Sequence, residues 1–178
     1  MKILHALYQS KTGTGTLQVV LDLQSAAQAA GHSVSILARD AQVFEDAGAE
    51  RFFTGNKLWD WLRFWQRIDK ESPDVIHVHD RYCSLLLRGI PNRPPSLQTN
   101  HIAYTTRRRL TLLADVVVGC SQAMDRHHAQ FFNLPQQRRA VVQNGISARS
   151  PNPETVAELK RSLPPHWQPK NLCLTVAR

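Results

Sequence analysis

The stretch MKILHALYQSKTGTGTLQVVLDLQSAAQAAGHSVSILAR, residues 1–39, contains a strand, a loop, a helix and a second strand. Residues 2–8 are an apolar run typical of a buried strand, and apolar positions at helical spacing follow from about Thr16 to Ala30. Gly31 is placed to cap the helix, and residues 33–39 form the second strand. We expect the helix to bury one stripe, made of Val20, Leu23, Ala27 and Ala30.

The same alternation continues along the chain. Further strands are predicted around 51–53 and at 74–80, 96–101, 115–120, 139–145 and 171–177, and further helices at 56–70, 81–89, 106–114, 121–132 and 153–163. Nearly continuous apolar strands alternating with helices indicate an α/β fold, a Rossmann-like parallel sheet with helices on both faces. Ligands bind such sheets at the carboxyl ends of the strands, which here precede the loops 9–16, 79–83, 100–106 and 119–122.

The helix predicted at 56–70 is rich in tryptophan. Its expected inner face consists of Leu58, Trp61, Leu62, Trp65 and Ile68, as a helix packed on a sheet requires. Trp59 and Phe64 lie off that stripe, and tryptophan flanked by Lys and Arg also suits a membrane surface. Peripheral membrane contact is therefore an alternative use of this helix.

Composition limits the class of protein. The chain has 178 residues, of which 42% are apolar and 20% charged, and its net charge is +8. These values fit a folded soluble domain, and the positive charge favours anionic partners. Three widely spaced cysteines and the absence of a signal-peptide pattern indicate a reducing, cytoplasmic environment. We found no metal-ligand spacing of Cys and His, so no metal site is predicted.

Gly13 and Gly15 lie just before the first helix. Without a Cβ a ligand can approach the backbone, and the free N–H groups of a helix start favour an anion or sugar hydroxyls. Thr14 and Thr16 can cap the helix, so a simple turn with a cap remains open as well. The third glycine of GxGxxG is missing and no GK[ST] follows, which argues against a nicotinamide-dependent oxidoreductase and a P-loop.

Six motifs in order resemble one family. They are AAGHSV (29–34), PDVIHVHD (73–80), TNH (99–101), ADVVVGCSQAM (114–124), VVQNGIS (141–147) and LTVAR (174–178). Together with the glycine loop, they resemble the N-terminal half of family-4 glycosyltransferases of the GT-B fold. The resemblance runs over essentially the whole chain.

The resemblance implies a two-domain hexosyltransferase that moves a sugar from a nucleotide-sugar to a glycan or glycolipid acceptor, with lipopolysaccharide as one such acceptor. Transfer would retain configuration and need no cofactor and no obligatory metal. His101 would approach the transferring sugar as the catalytic residue, and Gly15 and Thr16 would contact substrate. Arg178 matches the arginine that neutralises the leaving diphosphate. Thr16 stands where many relatives have a second glycine, which narrows access to the backbone.

Four further residues are candidates for substrate binding. Asp80 ends a strand and could bind an acceptor hydroxyl or form a turn. Ser121 is placed to cap the helix at 121–132 and also to contact a ligand. Arg107 and Arg108 belong to an arginine run that could hold acceptor phosphates or form a solvated helix face.

The end of the chain suggests a division into two parts. We expect residues 1–163 to form the N-terminal Rossmann-like domain and residues 164–178 to be a linker and the first strand of a nucleotide-sugar domain. A truncated enzyme, inactive alone, or a half that docks a separate donor-binding subunit would both fit. A non-catalytic module for glycans or anionic lipids at the inner face of the plasma membrane is the alternative. We expect no nucleic-acid partner, because no recognised module is present.

Overall fold

The computed structural model describes residues 1–8, 15–39, 48–145 and 152–164. The chain divides into two compact units, Met1–Gly145 and Ile146–Arg178. In the second unit one helix is described, and the side chain of Asn152 accepts a hydrogen bond from the Glu154 N–H at its start. Gly13, Arg178 and the strand predicted at 171–177 lie outside the described residues, and the domain boundary predicted after residue 163 stays a prediction.

The described elements follow the predicted alternation closely. The strands are β1 (Lys2–Leu7), β2 (Ser33–Ala38), β3 (Glu50–Arg51), β4 (Val75–Val78), β5 (Ser96–Asn100), β6 (Val116–Gly119) and β7 (Arg139–Val141). The helices are α1 (Gly15–Ala29), α2 (Lys57–Glu71), α3 (Arg81–Leu86), α4 (Gln122–Phe132) and α5 (Pro153–Ser162). Gly31, with φ +80°, ends α1 through the hydrogen bond from the His32 N–H to the Ala27 carbonyl, as predicted.

The seven described strands form one parallel sheet in the order β3-β2-β1-β4-β5-β6-β7. The chain moves outward from β1 to β3, then returns to β4 on the other side of β1. His5 of β1 is the register partner of Ile36 on β2 and of His77 on β4. The direction of winding therefore reverses between β1 and β4, and the predicted α/β parallel fold is confirmed.

The two faces of the sheet bury different sets of residues. On one face Leu4 and Ala6 of β1 join Ile76 and Val78 of β4 in a core that includes Phe64 of α2. On the other face the core contains Leu7 of β1, Ile36 and Ala38 of β2, and Leu17 and Val20 of α1. Because successive strand residues alternate between faces, His5 and His77 share the face of Leu7.

The inner stripe of α1 is not the predicted one. Leu17, Val20 and Gln24 are buried, whereas Leu23 is 36% exposed and Ala30 lies on the surface. Burying Leu17 beside Val20 removes more apolar area from water than burying Ala27 and Ala30 would, so the helix turns that side inward.

The inner face of α2 also differs from the prediction. Phe64, placed off the stripe, is fully buried, and its ring packs edge-on against Phe53 at a centroid distance of 5.7 Å. Leu58, placed on the stripe, is 77% exposed, while Trp61 and Trp65 are partly buried against the core. The aromatic cluster, rather than the tryptophan pattern, sets the rotation of the helix. Within the described ranges, no helix combines the length and apolarity needed to cross a bilayer.

The helix predicted at 106–114 is wrong. Only Arg108–Leu110 form a short 3₁₀ turn, and Arg107 has a left-handed φ of 57°. The Arg81 guanidinium donates to the Thr106 carbonyl at 3.0 Å, and the Thr111 hydroxyl donates to the Arg107 carbonyl at 2.9 Å. These side-chain donors take carbonyls that a helix would use for its own backbone hydrogen bonds.

Asp60 on α2 is a buried carboxylate that the sequence did not single out. It accepts hydrogen bonds from the Thr54 N–H at 3.0 Å, the Gly55 N–H at 2.9 Å and the Tyr82 hydroxyl at 2.6 Å. Burial acts to raise the pKa of Asp60, but the hydrogen bonds from Tyr82, Thr54 and Gly55 hold it below its usual value. Asp60 therefore joins the segment after β3 to α3.

Asp60→Asn should lower the free energy of unfolding by about 2–3 kcal/mol, because an amide cannot accept all of these hydrogen bonds and leaves buried donors unpaired. Urea unfolding at pH 7 measures the difference. Asp69→Asn, an exposed carboxylate on the same helix, is the matched control and should change the value by less than about 0.5 kcal/mol. Equal effects from both variants would contradict the role assigned to Asp60.

Candidate functional site

The candidate site lies at the carboxyl edge of the sheet, where β1 and β4 end side by side. The His79 N–H donates to the Ala6 carbonyl at 3.0 Å, which continues the pairing of the two strands to their last residues. Winding reverses between these two strands, and in parallel α/β sheets a crevice forms above the strand ends at such a point. This is the place where parallel α/β sheets bind ligands.

Asp80 fastens the two strand ends together. One carboxylate oxygen accepts the Tyr8 N–H just after β1, and the other accepts the Cys83 N–H at 2.9 Å as the N-cap of α3. The turn and capping role considered for Asp80 is thus present in the structure. Its contact with an acceptor hydroxyl stays a prediction.

The start of α1 reaches the same edge, because α1 leaves the carboxyl end of β1 and returns to the amino end of β2. A Cβ added at Gly15 would meet no described atom within 4 Å, so packing does not demand glycine there. The first turn of α1 holds no acidic residue. Within the described residues, the first turn of α1 itself therefore supplies no carboxylate that would compete for the N–H groups of Gly15 and Thr16.

His101 follows β5 at this edge and is half-buried. Its Nε2 lies 3.3 Å from Nδ1 of His79, and the two rings are nearly parallel, 22° apart. Burial lowers the pKa of His101, while the Asp80 carboxylate acts in the opposite direction. The structure thus places His101, Asp80 and the start of α1 along one rim, as the sequence predicted for its candidate site residues.

Behind His101 lies a group of buried histidines, named here the three-histidine cluster: His5, His77 and His79. Nδ1 of His5 lies 3.0 Å from Nε2 of His79, and Nε2 of His77 lies 2.8 Å from the Thr99 hydroxyl. Burial lowers the pKa of His5 to about 4 and, with the neighbouring imidazoles His5 and His101, that of His77 to about 3. Burial likewise puts the pKa of His79 well below its usual value. The cluster is neutral at pH 7.

The segment after His101 is held from two sides. The Arg81 guanidinium lies 3.9 Å from the ring centroid of Tyr104, and the His127 ring on α4 lies with Nε2 2.9 Å from the Tyr104 carbonyl. Beyond these contacts Arg107 and Arg108 are exposed, so their role in binding an acceptor stays a prediction.

The start of α4 is also fixed by local contacts. The hydroxyl of Ser121 accepts the Met124 N–H at 3.2 Å, which confirms Ser121 as a helix cap. Gly119 ends β6, and a Cβ there would lie 3.0 Å from Cβ of Met124 and 3.2 Å from the Asp125 backbone nitrogen. Glycine is therefore favoured at position 119, because α4 approaches the end of β6 so closely that a Cβ would crowd Met124 and Asp125.

Sequence reasoning missed the three-histidine cluster. His77 and His79 stand two apart on a predicted strand, so their rings had to share one face, and this was the available signal. His5 could be added to them only by the register of β1 with β4, which depends on the strand order.

The fold places this chain in the class of Rossmann-like α/β domains, which bind ligands where the winding of the sheet reverses. The sequence matches the family model described as Glycosyltransferase Family 4 over residues 13–149. The chain therefore belongs to glycosyltransferase family 4 and has the fold of the N-terminal domain of GT-B glycosyltransferases. A search of curated proteins finds no significant match.

Solved structures with this fold include three glycosyltransferases or related proteins of low sequence identity. A glycosyltransferase from Rickettsia africae ESF-5 is 15% identical with a TM-score of 0.74, covering 96% of this chain and 50% of that one. Anabaena Alr3699/HepE, in complex with UDP and glucose, is 16% identical with a TM-score of 0.67, covering 90% of this chain and 49% of that one. The lipopolysaccharide outer core galactosyltransferase WaaB is 15% identical with a TM-score of 0.65, covering 84% of this chain and 47% of that one. The chain thus spans about half the length of these proteins.

Acid should lower the free energy of unfolding, because the buried histidines resist protonation in the folded chain. His128 on α4 lies outside the three-histidine cluster, so its contribution to this pH dependence can be measured separately. Burial lowers its pKa to about 4 from 6.5, so below pH 6.5 the unfolded chain takes up a proton that the folded chain refuses. Stability from this group is full above pH 6.5 and is lost as the pH falls toward 4, by roughly 1–3 kcal/mol.

Urea unfolding of His128→Gln between pH 7 and 4 measures this effect, because glutamine cannot take up the proton. The variant should lose less stability over that range than the wild-type chain. Gln130→Ala, exposed on the same helix, should keep the wild-type dependence. A pH dependence of His128→Gln identical to that of the wild-type chain would refute the assignment.

Proposed function

We propose that this domain binds the acceptor in a retaining glycosyltransferase, which transfers a hexose from a nucleotide-sugar to a glycan or glycolipid of the lipopolysaccharide type. One observation carries the proposal: His101 after β5 and the start of α1, where an added Cβ would meet no described atom within 4 Å, lie on the same edge of the sheet, next to the point where its winding reverses. Membership in glycosyltransferase family 4 supports sugar transfer in general.

Each part of the edge has a chemical role in this proposal. The neutral imidazole of His101 hydrogen-bonds a hydroxyl of the transferring sugar and lies where positive charge develops on its ring. The N–H groups at Gly15 and Thr16 bind an acceptor hydroxyl or phosphate. Ser121 and Asp80 cap the helices that follow β6 and β4, and their side-chain oxygens also accept hydrogen bonds from substrate hydroxyls.

The donor nucleotide-sugar, in this proposal, binds a second domain or a separate donor-binding subunit. The UDP and glucose in the HepE complex show what one structure of similar fold binds, and WaaB is named for galactose transfer to lipopolysaccharide. No cofactor takes part in the transfer proposed for this domain, and the leaving diphosphate is neutralised by Arg178.

Acceptor binding can be tested on the chain itself. A lipopolysaccharide core oligosaccharide titrated into ¹⁵N-labelled protein should shift the amide signals of Thr16, His101 and Ser121. His101→Ala should weaken binding by several-fold to about tenfold, because one hydrogen bond to a sugar hydroxyl is worth about 1 kcal/mol. His32→Ala, at the opposite edge of the sheet, is the control and should leave the dissociation constant unchanged.

The same protein, mixed with a nucleotide-sugar and the oligosaccharide, should transfer no sugar until a donor-binding domain is supplied. Transfer by residues 1–178 alone would refute the division of the two substrates between domains. Shifts confined to the amino edge of the sheet would refute the acceptor site.

A second candidate is a module that binds anionic lipid or glycan without catalysis at the inner face of the plasma membrane. It is favoured by Arg107, Arg108 and Arg109, three consecutive exposed arginines next to the candidate site. Such a cluster attracts phosphate head groups, at about 1 kcal/mol for each cationic side chain near the surface.

The double variant Arg107→Ala, Arg108→Ala should reduce binding to vesicles containing phosphatidylglycerol by about tenfold or more. Vesicle co-sedimentation at 0.1 M salt measures this. Arg88→Ala with Lys57→Ala removes the same charge from exposed positions elsewhere and should reduce binding much less. Equal losses would show a general charge effect and remove this candidate.

A further inference from the structure

The three-histidine cluster arises from backbone register, not from chance surface contact. His5 and His77 are Cα partners on adjacent parallel strands, and His79 follows two residues after His77 on the same face. Their ring centroids are 4.1 to 5.3 Å apart. The three side chains are 2%, 8% and 3% exposed, so the rings lie in the interior of the sheet.

One ring nitrogen from each histidine lies within 4.8 Å of those offered by the other two. Nδ1 of His5 and Nε2 of His79 are 3.0 Å apart. Two nitrogens bound to one tetrahedral ion at about 2.0–2.1 Å are separated by a little over 3 Å, so this pair already has the spacing of a chelate.

The second nitrogen of two of these rings already has a partner. Nδ1 of His79 lies 3.3 Å from Nε2 of His101, and Nε2 of His77 lies 2.8 Å from the Thr99 hydroxyl. Metal-binding histidines usually donate their other N–H to such an acceptor, which fixes the tautomer and the ring orientation. His79 would then bind an ion through Nε2, and His77 through Nδ1.

We propose that His5, His77 and His79 bind a divalent transition-metal ion of the zinc class. The ligands are neutral imidazoles, which suit Zn²⁺ and its neighbours and do not suit Mg²⁺ or Ca²⁺, since those ions require oxygen ligands. Three protein ligands leave a fourth position for water. The metal site is distinct from the candidate acceptor site, because its three ligands are buried in the sheet, whereas His101 at the strand end is half-buried.

Zinc bound to His79 would also fix which nitrogen of His101 carries the proton. The role of that proton in sugar binding rests on the proposed function, whereas the metal site itself does not. With its Nε2 on the metal, His79 donates its Nδ1–H to Nε2 of His101. The proton of neutral His101 is then on Nδ1. The Nδ1–H group of His101 can therefore donate a hydrogen bond to the oxygen of a sugar hydroxyl. His79 would be a positioning residue for His101 in the metal-bound protein.

The test uses residues 1–178 without an affinity tag, freed of metal by a chelator. Titration with ZnCl₂, followed by calorimetry, should show one saturable ion per chain, and MgCl₂ should show none. X-ray absorption of the zinc complex should show imidazole nitrogens at about 2.0–2.1 Å. Zinc binding without imidazole in that spectrum, or no saturable binding, overturns the proposal.

Variants add a second line of test. His77→Gln should weaken zinc binding by at least about 100-fold, and Thr99→Val, which keeps all three ligands, by about 10-fold to 100-fold. His32→Gln, outside the cluster, should leave the affinity unchanged. If His77→Gln fails to fold, the absorption spectrum and Thr99→Val decide. Unchanged zinc affinity in Thr99→Val, or a spectrum that lacks imidazole, refutes the site, and acceptor binding, measured separately, is unaffected by that outcome.

Discussion

The pairing of β1 with β2 on one side and β4 on the other is the constraint on which the rest of the molecule depends. A strand that is central to a parallel sheet must be buried on both faces, and β1 meets this with Leu4 and Ala6 toward α2 and Leu7 toward α1. Since the chain leaves β1 in one direction and returns on its other side, the winding of the sheet reverses at β1. Chain connectivity therefore sets the position of the candidate site, and the side chains at the strand ends set its chemistry.

The buried side chains at the ends of β1 and β4 are unusually polar for the interior of a sheet. Buried imidazoles lie where apolar residues would give more stability, and each must remain neutral to avoid the cost of an isolated charge. Hydrogen bonds to the ring nitrogens reduce the free-energy cost of burying these polar groups. His77 has such a contact with Thr99, and His79 has contacts with His5 and His101. Departures of this kind from local stability are expected at sites that serve function.

The sequence was informative where one physical signal dominated. The positions of the seven described strands, the Gly31 cap and the Ser121 cap were predicted correctly, because apolar runs and capping residues act locally. The helix expected at 106–114 failed because Arg81, distant in sequence, supplies a donor to its backbone.

The stripes of α1 and α2 were misplaced for a related reason. Periodicity shows that a helix has an inner face, whereas the bulk of Leu17 and Phe64 decides which face it is. For the candidate site, positions at strand ends were readable from the chain. The three-histidine cluster and the Asp60 contacts were not, because they depend on which strands and loops become neighbours.

The close approach of α4 to the end of β6 limits how this protein can diverge. A Cβ at position 119 would lie 3.0 Å from Cβ of Met124 and 3.2 Å from the Asp125 backbone nitrogen, so these atoms would have to give way by a few tenths of an ångström. The same helix carries His127, whose ring contacts the Tyr104 carbonyl. A substitution at position 119 therefore presses on the helix that supports the Tyr104 segment, and relatives that lack this glycine should carry a compensating change in the first turn of the following helix.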